Sequence, residues 1–172
     1  MNSLKTALTA IAVGAALTAT IASGETDTAT KVDGSNTSAP AAGQTFKVGD
    51  TVKLGDWQAK VYTVTDPYLP ANEFGKPKPG NRVVAVDAEV TNLSSKPQTV
   101  SSIACFQLQD GQNKSYNLTI TGDSTAGLDG EIGAGAAKRG TLAYELPQSA
   151  NGLKLQFKCN LLGSGSATIA LS

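Results

Sequence analysis

Arg-Val-Val-Ala-Val-Asp-Ala-Glu-Val-Thr, residues 82–91, places Val84, Val86, Ala88 and Val90 at alternate positions, with Asp87, Glu89 and Thr91 between them. Successive side chains of a β-strand point to opposite faces, so this stretch has one apolar and one polar side. A strand of that kind belongs to an antiparallel sheet with one face packed and one face wet. The same period recurs on both sides of it. Upstream, Phe46 and Val48, Val52 and Leu54, then Trp57, Ala59 and Val61 alternate, with a turn at Gly49-Asp50. Val64 falls out of phase with the last set, which predicts a β-bulge near Tyr62 and Thr63. Downstream come Ala104, Phe106 and Leu108, a hairpin turn at Asp110-Gly111, then Tyr116, Leu118 and Ile120. Leu142, Tyr144 and Leu146 alternate up to Pro147, followed by Leu153, Leu155 and Phe157, and by Ile169 with Leu171.

These runs make eight or nine short strands divided by Gly, Pro, Asn and Asp, and no stretch sustains a helical period. Two half-apolar antiparallel sheets bury their apolar faces by packing together. The expected fold is therefore all-β, an immunoglobulin-like antiparallel β-sandwich, with a small closed β-barrel as the competing architecture.

The first 44 residues read differently. Lys5 and the terminal amine make a short positive region ahead of an apolar, Ala- and Thr-rich stretch from about Ala7 to Ala22. Residues 1–22 are expected to be a signal peptide, cleaved after Ala22 or Gly24 at the small residues there. The alternative is an uncleaved membrane anchor, the one route by which this reading brings the chain to a membrane. Residues 23–44 hold one branched aliphatic, Val32, and no aromatic, so a disordered spacer is expected. The folded domain then covers 45–172. Sequons such as those at Asn36, Asn92 and Asn117 read as chance matches.

The chain of 172 residues balances fourteen Lys and Arg against fourteen Asp and Glu and contains no histidine. Without a basic stripe, nucleic-acid binding lacks its electrostatic footprint. Lack of histidine removes Ser-His-Asp and Cys-His catalysis and the usual His-containing zinc sites. Acid–base chemistry would then need a strongly shifted carboxylate, lysine or tyrosine. No cofactor and no metal are expected, and nothing in the sequence sets an oligomeric state.

Four segments carry a family resemblance: Phe-Lys-Val-Gly-Asp-Thr-Val-Lys-Leu-Gly-Asp-Trp (46–57), Lys-Pro-Gly-Asn-Arg-Val-Val-Ala-Val-Asp-Ala-Glu-Val-Thr-Asn (78–92), Pro-Gln-Thr-Val-Ser-Ser (97–102) and Gly-Thr-Leu-Ala-Tyr-Glu-Leu-Pro (140–147). In that order they resemble a secreted immunoglobulin-like domain of unknown function found in actinobacteria and other Gram-positive bacteria. That domain is related to a secreted immunogenic mycobacterial antigen. The resemblance spans about Phe46 to Phe157. It implies a β-sandwich, export, and often a lipoprotein or spacer N-terminus, and it brings no catalytic motif. The chain departs from the lipoprotein members, since no cysteine precedes Cys105.

Cys105 and Cys159 are the only cysteines, and an exported pair is expected to form a disulfide. Cys159 is in phase with Phe157, but Cys105 is out of phase with Phe106, so the bridge calls for a bulge or a site at the sheet rim. Asp110-Gly111-Gln112-Asn113 has the start of a calcium loop, yet Thr121 stands where the closing glutamate belongs, and a hairpin turn fits better. Asp87 and Glu89 share a strand face, which reads as a solvated face rather than a hydrolytic pair. Trp57 is expected in the core.

Two long segments, 66–81 and 121–137, fall outside the strand pattern. The second is rich in Gly and Ala and reads as flexible. The first carries Tyr68, Phe74, Lys76 and Lys78 among Pro67, Pro70, Pro77 and Pro79, with Arg82 just beyond. It is the candidate binding loop: two aromatic anchors and positive charge on a stiffened backbone. The competing reading is a crossover whose Tyr68 and Phe74 fold back as a lid on the core. The expected function is a secreted or cell-surface, non-enzymatic module that engages another extracytoplasmic protein or an envelope component. The alternatives are a structural spacer or secreted antigen without a dedicated ligand, and a carboxylate-dependent hydrolase.

Overall fold

A computed structural model describes residues 27–33, 36–38, 45–123, 126–159 and 165–172. The strands are β1 (Thr30–Asp33), β2 (Asn36–Ser38), β3 (Phe46–Lys47), β4 (Thr51–Leu54), β5 (Trp57–Tyr68), β6 (Asn81–Asn92) and β7 (Gln98–Val100). They continue with β8 (Phe106–Gln109), β9 (Ser115–Tyr116), β10 (Gly130–Ile132), β11 (Ala137–Pro147), β12 (Lys154–Phe157) and β13 (Ala167–Ala170). The stretch at 82–91 becomes most of β6, flanked by β5 and β11 in a sheet ordered β11-β6-β5-β4-β1-β2. A second sheet runs β3-β13-β12-β8-β9, and β7 pairs with β10. The main sheets stay open, each with its own edge strands, so the fold is a sandwich and not a closed barrel.

Alternation decides what lies between the sheets. Val84, Val86, Ala88 and Val90 are buried, and so are their partners Tyr144 and Leu142 across the β6–β11 register. From the facing sheet come Phe106, Leu108, Leu155, Phe157 and Ile169, with Phe106 and Phe157 stacked at 5.3 Å. Trp57 joins this core at 4% exposure. Each such side chain contributes about 1.5–3 kcal/mol by leaving water. The register between β5 and β6 shifts between Val61 and Thr63, the bulge that the phase of Val64 predicts.

The structure corrects these expectations in five places, one of them the segment 121–137, read as flexible, where β10 pairs with β7 and Leu128 and Ile132 are buried. Residues 102–105 form a short helical turn, α1 (Ser102–Cys105), which leaves Ala104 exposed and buries Cys105. Ile120 is 88% exposed, because its segment leaves the sheet after Leu118. Thr30–Asp33 lies inside the expected spacer yet pairs with β4 and β2, and Ala29 is buried at the core margin. Strand pairing rests on backbone partners, here β4 on one side and β2 on the other, which composition does not report. Finally, Val83, Ala85 and its partner Ala143 are buried on the face expected to be wet. The expected signal peptide and, apart from residues 27–33 and 36–38, the expected spacer lie outside the described residues.

Candidate functional site

The last burial has a cause in the β5–β6 connection. A segment after β9 runs along the free side of β11: the Thr119 amide donates to the Ala143 carbonyl, and Thr141 donates to Ala126. The connection leaving β5 reaches that segment, so it crosses β6 and β11. Four contacts fasten the two. The Tyr68 hydroxyl donates to Asp123 Oδ2 at 2.7 Å, and the Ala71 amide donates to Asp123 Oδ1 at 2.9 Å. Asn72 Nδ2 donates to the Thr121 carbonyl at 2.9 Å. Gly75 lies so close to the same carbonyl that a Cβ built there would stand 2.1 Å from it. Only glycine permits that approach. Asn72 also caps the 3₁₀ turn Glu73–Gly75 by accepting from the Gly75 amide.

The five residues of the candidate binding loop take separate roles. Phe74 is 97% exposed, so it is no lid on the core. Tyr68 is folded back and held by Asp123, whose hydrogen bond raises the phenol pKa while lowering that of the carboxyl. Lys76 pairs with Glu73 at 2.5 Å on the surface. Lys78 is exposed and fixed through its amide, which donates to Glu145 Oε1 at 2.9 Å. Arg82 is a brace. Its guanidinium donates to both oxygens of Asp66 and to the carbonyls of Pro147, Gln148 and Ala150, each carbonyl at 2.9 Å. It ties the end of β11 to β5, and its charge is already satisfied by Asp66.

The outer face of the large sheet is equally committed. Asp87 is paired with Arg139, the Arg139 guanidinium lies 4.0 Å from the Tyr62 ring centre, and Tyr62 donates to Glu89 at 3.2 Å. Asp110 closes its hairpin turn by accepting from the amides of Gln112 and Lys114 and from the Tyr116 hydroxyl. This is a turn carboxylate with its acceptors in use.

Cys105 and Cys159 form a disulfide with Cα atoms 4.2 Å apart, both buried at the end of the small sheet. The phase conflict at Cys105 dissolves because α1 resets the chain just before β8, while the Lys158 amide donates to the Cys105 carbonyl.

What sequence reasoning missed lies beside the loop. Leu69, Ile103 and Ile120 are 84%, 82% and 88% exposed, and with Phe74 they make large apolar side chains in water. Ile103 and Ile120 flank a cleft of about 480 Å³ whose lining includes Leu118, Leu128, Leu142 and Asp129. Alternation had placed Ile120 in the core, and no local signal marks Ile103.

Residues 46–168 match the model of a family described as a domain of unknown function, DUF4352. The chain belongs to the DUF4352 family. No curated protein matches it. Among solved structures, the yjhA protein of Bacillus subtilis is similar at 18% identity, with 74% of this chain and 99% of that one covered and a TM-score of 0.57. A second Bacillus subtilis protein, described as a "putative lipoprotein (ycdA)", is 20% identical over 66% of this chain and 35% of its own, with a TM-score of 0.54. MPT63, a secreted protein of Mycobacterium tuberculosis, is 11% identical over 70% of this chain and 82% of its own, with a TM-score of 0.44. At such identities the first two likenesses speak to the fold. Among the described residues, no helix is long and apolar enough to cross a membrane.

Proposed function

We propose that this DUF4352 chain is a secreted or surface-held, non-enzymatic module that binds another extracytoplasmic protein or an envelope component through its fused loops. The observation carrying this reading is the exposure of Leu69, Phe74, Ile103 and Ile120, 82–97%, on segments that are hydrogen-bonded into place. Isolated exposed apolar residues are ordinary, but Ile103 and Ile120 flank one cleft, and exposed apolar side chains grouped in that way mark interaction surfaces. A rigid mount lowers the ordering cost of binding.

The state of the carboxylates supports the non-enzymatic part. General acid catalysis calls for a carboxyl pushed upward, as by burial in an apolar pocket. Here Arg139 holds Asp87 down, Tyr116 holds Asp110 down, and Asn81 with the Lys78 amide holds Glu145 down. These groups act as acceptors within the fold.

The test is a photo-crosslinking amino acid placed at Phe74 or Ile120 in the full chain, irradiated in the cells that produce it. A discrete adduct from these positions, and none from Thr63 on an exposed part of β5, is the expected result. Absence of any adduct at both loop positions contradicts the reading.

A further inference from the structure

Four segments line the cleft: Ser102 with Ile103 of α1, residues 118–123, residues 127–129, and residues 141–143 of β11. Its base is apolar, with Leu128 and Leu142 fully buried and Ile103 and Ile120 standing exposed at its rims. Its charge has one sign. Asp123 and Asp129 line it, and no lysine or arginine does among the described residues. Neither carboxylate enters an ion pair there, in contrast to Asp50, Asp66, Asp87 and Glu73. Both are held instead by neutral donors. Asp123 accepts from Tyr68 and Ala71, and Asp129 accepts from the Ser102 amide at 2.7 Å and the Ser102 hydroxyl at 3.0 Å. Lys138 contacts the Asp129 main-chain carbonyl and is not part of the lining.

Two anions fixed by neutral donors beside an apolar base make a site whose complement is both apolar and positive. Each carboxylate oxygen retains capacity for a second hydrogen bond. Because Asp123 and Asp129 are already oriented, pairing a cation with them orders little that was free. An acidic segment would meet like charge, and a purely apolar one would take two carboxylates out of water with no cation to offset their charge.

We propose that this cleft binds an exposed segment of a partner protein in which a large apolar side chain is flanked by lysine or arginine. The apolar side chain sits between Ile103 and Ile120, and the cations reach Asp123 and Asp129. The proposal rests on the binding-module reading and narrows its partner to a basic, apolar peptide segment.

The experiment titrates the full, isotopically labelled chain with three end-blocked tetrapeptides, Lys-Leu-Phe-Lys, Ser-Leu-Phe-Ser and Glu-Leu-Phe-Glu, followed by amide chemical shifts. The lysine peptide is expected to shift the amides of Ile103, Ile120 and Asp129. It should bind roughly tenfold more tightly than the glutamate peptide, a gap of about 1.4 kcal/mol, and should weaken with added salt. The variant carrying Ile103→Ser and Ile120→Ser keeps the fold, since both side chains are exposed, and should lose about tenfold in affinity for the lysine peptide. Equal binding of the lysine and glutamate peptides overturns the proposal, as does an absence of shifts at those amides up to millimolar peptide. If the lysine peptide fails while crosslinked adducts still form at Ile120, the binding module stands and the basic-segment partner falls.

Discussion

Arg82 shows how one side chain changes meaning between sequence and structure. In the sequence it ends a run of positive charge on a candidate contact loop; in the fold it spends its donors on Asp66 and on three carbonyls at the end of β11. Replacing it with methionine keeps the stem and leaves those carbonyls unpaired. Arg82→Met should therefore cost about 2–4 kcal/mol, read by urea denaturation. Arg82→Lys should recover little, since an ammonium cannot reproduce the forked geometry. Tyr68 and Phe74 make the complementary pair. They look equivalent in sequence, as two aromatics on one loop. Tyr68→Phe removes the hydrogen bond to Asp123 and should lower the melting temperature measurably. Phe74→Ala touches a side chain 97% in water and should stay within about 0.5 kcal/mol of the parent. Equal losses from both would mean that Phe74 is packed after all.

Among the elements, legibility followed the regularity of the side-chain period. β6, β11, β12 and the bulge in β5 were readable because each buries one face of a two-residue repeat. Where the chain obeys hydrogen bonds instead of burial, the period misleads. α1 exposes Ala104, the segment after Leu118 exposes Ile120, and β1 pairs through its backbone between β4 and β2. The loop clamp was illegible for the same reason. Nothing local in Asp123 announces that its carboxylate receives Tyr68, which lies 55 residues away. The disulfide belongs to this scale, since it joins α1 to the residues beyond β12 across a separation of 54. Closing a loop of that length stabilises by about 4 kcal/mol in the chain-entropy model. Thiol titration of the protein, purified and denatured without reductant, should find no free thiol, and reduction should lower the denaturation midpoint. Two free thiols in the unreduced protein would overturn the bridge.

For the whole molecule, the absence of histidine and the set of shifted groups together fix a pH response. Asp87, Asp110, Asp123 and Glu145 all have lowered pKa values in the folded chain, from ordinary values of 3.8 for aspartate and 4.5 for glutamate. A lowered folded pKa means stability that is present above the ordinary value and lost as pH falls through the folded one. Tyr62, Tyr68, Tyr116 and Tyr144 are raised above 10.0, and Tyr144 is driven up by burial alone. Their contribution is present below pH 10 and is lost as pH rises above it. Melting temperature should therefore be nearly flat between about pH 5 and 9, falling at both ends. A step near pH 6.5 would contradict this. A stable sandwich that carries a fixed, partly apolar loop surface should lose binding without losing stability when that surface is made polar. The variant Phe74→Ser, Ile103→Ser, Ile120→Ser should match the parent in melting temperature and near-ultraviolet circular dichroism. Immobilised beside the parent and exposed to cell-envelope extract, it should fail to retain the component that the parent retains. Retention of the same component by both proteins would mean that these side chains do not form the binding surface.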